Sequence, residues 1–108
     1  MLSLNGKWAL VTGASRGIGR LAASALAEQG CNLILLSRDT AHTADLAAAL
    51  SRKVNVREIA CDLADAASVS RALERIDTLN LSVDIILNNA GVQVAYRTDY
   101  YQTPSAIM

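Results

Sequence analysis

Thr12 to Gly19 reads TGASRGIG, with Gly13, Gly17 and Gly19 in a GxxxGxG spacing. Glycines so placed suit one kind of chemistry, the holding of an anionic phosphate against the main chain. Gly13 turns the chain sharply, and a missing Cβ lets a pyrophosphate approach the backbone. Gly17 and Gly19 keep the helix entry close to both ligand and sheet. Free N–H groups and the positive end of the helix dipole then favour the anion. The spacing is not the general GxGxxG fingerprint, so its weight comes from the strand before it and the helix after it. A plain strand-to-helix turn is the alternative reading.

Those flanking elements belong to a longer alternation. Lys7–Thr12 (KWALVT) reads as a buried strand. Ile18–Gln29 reads as a helix, with Ile18, Leu21, Ala22, Ala25 and Leu26 at helical spacing and Gly30 as its stop. Asn32–Ser37 is apolar on both faces, as a strand covered on two sides must be. A second helix is predicted over about Ala41–Arg52, capped by Asp39 or Thr40, with Leu46 and Leu50 facing inward. Val54–Ala60 reads as a strand. Asp65 caps a third helix to about Leu79 that presents Val69, Leu73 and Ile76. Val83–Asn88 (VDIILN) is the fourth strand, and Gln93–Met108 reads as irregular. This order predicts an α/β, Rossmann-like, doubly wound parallel sheet with strand order 3-2-1-4. Function in such a sheet sits at the carboxyl ends of the strands, here Thr12–Gly19, Ser37–Asp39, Cys61–Leu63 and Asn88–Gly91.

Three motifs fall at those ends: TGASRGIG, then Cys61-Asp62-Leu63, then Asn88-Asn89-Ala90-Gly91. In this order they closely resemble the classical short-chain dehydrogenase/reductases. The resemblance covers about Leu4 to Val92, less than half of a usual family member. It implies a dinucleotide-binding half-domain over 1–92, followed by an irregular tail over 93–108. It further implies that Gly13, Ser15, Arg16, Gly17, Ile18 and Gly19 hold the cofactor's phosphates and ribose. Asp62 would bond the adenine amino group, with Leu63 lining the ring; a turn or cap role for Asp62 is the alternative. Asn89, Ala90 and Gly91 would approach the ribose and nicotinamide, with Asn88 more structural.

Cofactor choice follows from charge. A site for NAD places a carboxylate at the end of the second strand to bond the ribose 2′-hydroxyl. Neutral Ser37 stands there, followed by Arg38, while Arg16 lies in the glycine loop and Asp39 one residue too far along. Two guanidiniums suit a 2′-phosphate, which favours NADP(H) over NAD(H). An ordinary solvated Arg38 is the competing reading.

The family resemblance also exposes what is missing. Its members use a tyrosine four residues before a lysine to exchange a proton with the substrate oxygen. Here the lysines are Lys7 and Lys53, both before every tyrosine, and the positions four after Tyr96, Tyr100 and Tyr101 are Tyr100, Pro104 and Ser105. No catalytic residue carries over. In the order 3-2-1-4 the fourth strand is an edge, yet Ile85, Ile86 and Leu87 are uncharged, unlike most natural edges. The expectation is a sheet truncated after about four strands, inactive alone. The rival is a non-catalytic nucleotide-binding or interaction module that pairs with a partner or with itself through this edge.

Composition narrows the remaining classes. Ten Lys+Arg balance ten Asp+Glu over 108 residues, which argues against nucleic acid. The chain is 52% hydrophobic with one proline, too apolar for disorder. No stretch approaches the ~20 apolar residues of a membrane span, and Met1–Lys7 lacks a secretory signal's apolar core, so the expected setting is cytoplasmic. Cys31 and Cys61 cannot form a disulfide scaffold and read as small buried hydrophobes. His42 has no second ligand beside it, so no metal site is expected. Trp8 reads as a core or rim residue.

Overall fold

The computed structural model describes residues 4–14 and 17–88. Four strands, β1 (Trp8–Thr12), β2 (Asn32–Ser37), β3 (Val56–Ala60) and β4 (Ile85–Asn88), form one sheet in the order β3-β2-β1-β4. Every pairing is parallel, with Leu10 beside both Ile34 and Ile86, and Leu35 beside Glu58. Helices α1 (Gly17–Glu28), α2 (Ala44–Leu50) and α3 (Ala66–Leu79) supply the crossovers. The predicted α/β class and strand order are those observed.

Strand β2 explains why the sheet needs two helical layers. Its side chains alternate between faces, so Leu33 and Leu35 pack with Ala23, Ala27, Leu46 and Leu50 of α1 and α2. Ile34 and Leu36 point the other way, into a second cluster with Ile59 and Ala72 that Val69 and Ile76 of α3 help to close. Trp8 is partly buried at the margin of this cluster, with the Arg57 guanidinium 6.0 Å from its ring centroid.

Several boundaries differ from the sequence reading. The strands start one or two residues later than expected, at Trp8, Val56 and Ile85. The buried stripe of α1 is Gly19, Ala23 and Ala27, whereas Ile18 and Leu21 are 75% and 72% exposed. Small residues one turn apart let the helix lie close to the sheet, and a leucine there would hold it away. Leu73 of α3 is likewise exposed, and Ala72 is the residue that packs.

The second helix is broken. Thr40–His42 forms a 3-10 turn, and α2 begins only after Thr43. Asp39, rather than Thr40, caps that turn through its side chain, accepting from the Ala41 N–H at 2.9 Å. Asp65 caps α3 as predicted, accepting from the Ala67 N–H at 3.0 Å.

Candidate functional site

Because all four strands run the same way, their carboxyl ends share one rim of the sheet. Thr12 pairs with both Leu36 and Asn88, and Ser37 pairs with Ala60. Gly13, Arg38 and Cys61 each follow a paired strand end, so the glycine loop, the β2 turn and the Asp62 segment are neighbours. The Thr12 hydroxyl donates to Asn88 Oδ1 at 2.9 Å, tying β1 to β4 at this rim. Asn88 thus has a structural bond, as expected of it.

Gly13 and Gly17 adopt positive φ values of 65° and 64°, the left-handed region in which glycine carries no Cβ penalty. Gly19 is constrained by space. A Cβ placed there would lie 2.1 Å from the Gly13 carbonyl oxygen and 2.8 Å from its carbon. The first turn of α1 therefore sits directly against the loop that leaves β1. Among the described residues, Gly17 has nothing beyond its chain neighbours within 4 Å of where a Cβ would project. The first turn of α1 contains no acidic residue, and its positive dipole end is unopposed from within the helix. Ile18 is exposed beside it. Ser15 and Arg16 lie outside the described residues.

At the end of β2, Ser37 is buried and its hydroxyl donates to the Asp39 carbonyl at 2.9 Å. Arg38 is exposed and has no partner among the described residues. The Asp39 carboxylate, occupied in capping the 3-10 turn, is engaged within its own segment. At the end of β3, the Asp62 N–H donates to Ser68 Oγ at 2.8 Å, and Asp62 Oδ1 accepts from the Ala64 N–H at 3.0 Å. The turn role for Asp62 is thus realised through one carboxylate oxygen. Leu63 is exposed next to it. Asn89, Ala90 and Gly91 lie outside the described residues, as does the tail with its three tyrosines.

Three supporting residues escaped the sequence reading. Ser68 fixes the Asp62 backbone from the first turn of α3, and Thr43, fully buried, donates to Glu58 Oε2 at 2.6 Å. Thr43 and Glu58 meet through the crossover from β2 to β3, whereas Ser68 acts locally, on the loop that leads into its own helix. A buried threonine opposite a strand glutamate leaves no periodic trace.

Both cysteines are buried and free. Burial above all, with the nearby Asp84 charge, pushes the Cys31 thiol above its ordinary range, against a smaller opposite pull from Lys7. It sits at the amino end of β2, remote from the rim described here, so an inert role fits it. Among the described residues no cluster of His, Cys, Asp or Glu could hold a metal. No helix there is long and apolar enough to cross a membrane. A cleft of about 290 Å³ lies at the opposite rim, lined by Asn5, Asn32, Arg52, Lys53 and Asn55. It lies at the amino ends of the strands, where doubly wound sheets do not place their ligands.

Comparison with known proteins agrees with this architecture. The chain is 40% identical over 89 residues to the rhamnolipids biosynthesis 3-oxoacyl-[acyl-carrier-protein] reductase of Pseudomonas aeruginosa, covering 82% of this chain and 35% of that protein. The P. aeruginosa RhlG/NADP active-site complex superimposes with a TM-score of 0.75 at 40% identity, over 82% of this chain and 36% of that one. The L-sorbose reductase of Gluconobacter frateurii, solved with NADPH and L-sorbose, gives 0.76 at 34% identity, over 82% of this chain and 35% of its own. The chain therefore spans about a third of the length of these relatives. The family model described as short chain dehydrogenase matches residues 7–105. With this match, the parallel order β3-β2-β1-β4 and the glycine loop packed on α1, the chain belongs to the short-chain dehydrogenase family.

Proposed function

We propose that this chain recognises the dinucleotide of an NADP(H)-dependent short-chain oxidoreductase and supplies no proton-transfer group of its own. The observation that carries this reading is the glycine loop. A side chain at Gly19 would strike the Gly13 carbonyl, while no described residue beyond its chain neighbours lies within 4 Å of a Cβ at Gly17. This gives backbone amides and a helix N-terminus within reach of a diphosphate. Gly13, Ser15, Arg16, Gly17, Ile18 and Gly19 would hold the phosphates and ribose. Asp62 would use its second carboxylate oxygen for the adenine amino group, beside Leu63. Asn89, Ala90 and Gly91 would approach the nicotinamide side.

Arg38 would meet the 2′-phosphate, since it is exposed, unpartnered among the described residues, and follows a neutral Ser37. The NADP and NADPH bound in the two related structures support this preference. In the complete reaction the nicotinamide would exchange a hydride with a carbonyl or secondary alcohol. The absent Tyr-x-x-x-Lys pair means that these 108 residues alone would not protonate the substrate oxygen. The related reductases act on an acyl chain and a sugar, so the shared third of the fold does not select substrate. Two buried, reduced thiols suit a cytoplasmic setting.

Titration with NADPH, followed by the amide resonances of Gly13–Arg20, tests the reading. Selective shifts in that loop are expected. A folded sample whose loop resonances do not move would overturn it.

A second reading rests on a different observation. Ile86 is 68% exposed in the middle of the uncharged edge strand β4, which suits pairing with a second copy. Sedimentation would then show a dimer that Ile86→Lys dissociates; a monomer at all concentrations would exclude it.

A further inference from the structure

The segment from Ser37 to Thr43 is tied together by several of its own polar groups. The Ser37 hydroxyl donates to the Asp39 carbonyl, and the Asp39 carboxylate caps Ala41 at 2.9 Å. The Asp39 carbonyl also accepts from the His42 N–H, and the Thr40 carbonyl from the Thr43 N–H. The turn is then fastened to a different strand. Thr43, fully buried, has its hydroxyl 2.6 Å from Glu58 Oε2 and 3.2 Å from the Thr40 carbonyl. Glu58 stands on β3 directly beside Leu35 of β2, so the anchor is a rigid one. A hydroxyl-to-carboxylate bond in a half-buried site is among the stronger hydrogen bonds a protein makes. Arg38 projects from this fastened segment with no partner among the described residues.

We infer that Glu58 is a positioning residue for cofactor discrimination: through Thr43 it holds the turn that aims Arg38 at the ribose 2′-phosphate. The inference rests on the proposed role of Arg38 and adds to it a residue on another strand. Thr43 is buried and Glu58 bonds to it, so the clasp acts through the backbone of the turn. NADP(H) and NAD(H) differ only in the 2′-phosphate. Loosening the clasp therefore weakens the phosphorylated cofactor and spares the other, because a mobile guanidinium must be ordered on binding.

The test measures Kd for NADPH and for NADH on the 108-residue chain by calorimetry, with circular dichroism on every variant. Glu58→Met and Thr43→Val should each raise the NADPH Kd roughly five- to tenfold, the scale of one net hydrogen bond. The NADH Kd should stay within about twofold. Glu58→Gln and Thr43→Ser retain the acceptor and the hydroxyl, and should restore the original NADPH preference. The Met/Val double variant should be no worse than either single one.

Equal losses for both cofactors, or an unchanged ratio, would overturn the inference. So would loss of native circular dichroism in both Glu58→Met and Thr43→Val, which would make the clasp a folding element. An unsubstituted chain that binds both cofactors alike, or Arg38→Ala without effect on the ratio, would instead remove the role of Arg38 and the inference with it. If Arg38→Ala abolishes the preference while the clasp variants keep it, only the role of Glu58 is lost.

Discussion

Strands β2 and β4 are built from the same kind of residue and have opposite fates. In β2, Leu33, Ile34 and Leu35 are fully buried, because α1 and α2 cover one face and α3 the other. In β4, Ile86 is 68% exposed, while Ile85 and Leu87 are only half-buried against the α1 side. Ile18 and Leu21 of α1 are exposed as well. Apolar character therefore does not by itself decide burial. What decides it is whether a helix crosses over that strand, and in a wound sheet this depends on the strand's place in the order.

The sharpest way to test this contrast is truncation of one side chain in each strand. Leu35→Ala should cost about 2–5 kcal/mol, since it leaves a cavity lined on all sides, and chemical denaturation would read it as a large drop in midpoint. Retention of full stability by Leu35→Ala would mean that β2 is not the centre of the core. Gly19→Ala comes next, because its methyl would meet backbone rather than a yielding side chain. A cost of about 1–3 kcal/mol and at least a tenfold weaker dinucleotide affinity are expected, as α1 must shift off its loop. Unchanged affinity would show that the close approach of α1 is not needed for phosphate binding.

Asp65→Ala removes the α3 cap, and with it about 1 kcal/mol, while Asp65→Asn should lose little. This measures how much the cover over Ile34 and Leu36 depends on a single hydrogen bond at the start of α3. Ile86→Ala should shift stability by no more than about 0.5 kcal/mol, the range of exposed positions. A loss as large as that of Leu35→Ala would show that β4 is packed as tightly as β2 and would erase the comparison.

Much of this was legible in the residues. Asn32–Ser37, with four consecutive apolar residues, reads as a doubly covered strand and is one, with the predicted bounds. The Asp65 cap and the Gly30 stop also stand as read, the latter with φ of 82° after the last turn of α1. Other features did not follow from pattern. Spacing grouped Ile18 and Leu21 with the apolar positions of α1, yet the packed stripe is Gly19, Ala23 and Ala27. Hydrophobic periodicity ranks side chains by size and polarity, whereas a close helix–sheet approach selects for smallness. Thr43 likewise stands where the expected second helix is broken, with its hydroxyl bonded to Glu58, fifteen residues on. Local propensity contains no term for such a partner.

The amino-acid order alone determined the element types, the parallel winding and the glycine loop between β1 and α1. Each of these depends on neighbours in the chain: alternation, helical spacing, a cap or a missing Cβ. Only the tertiary structure decided which face of α1 is buried and that Glu58 reaches Thr43. Those outcomes depend on distances between elements that crossovers bring together, and short-range pattern does not encode them.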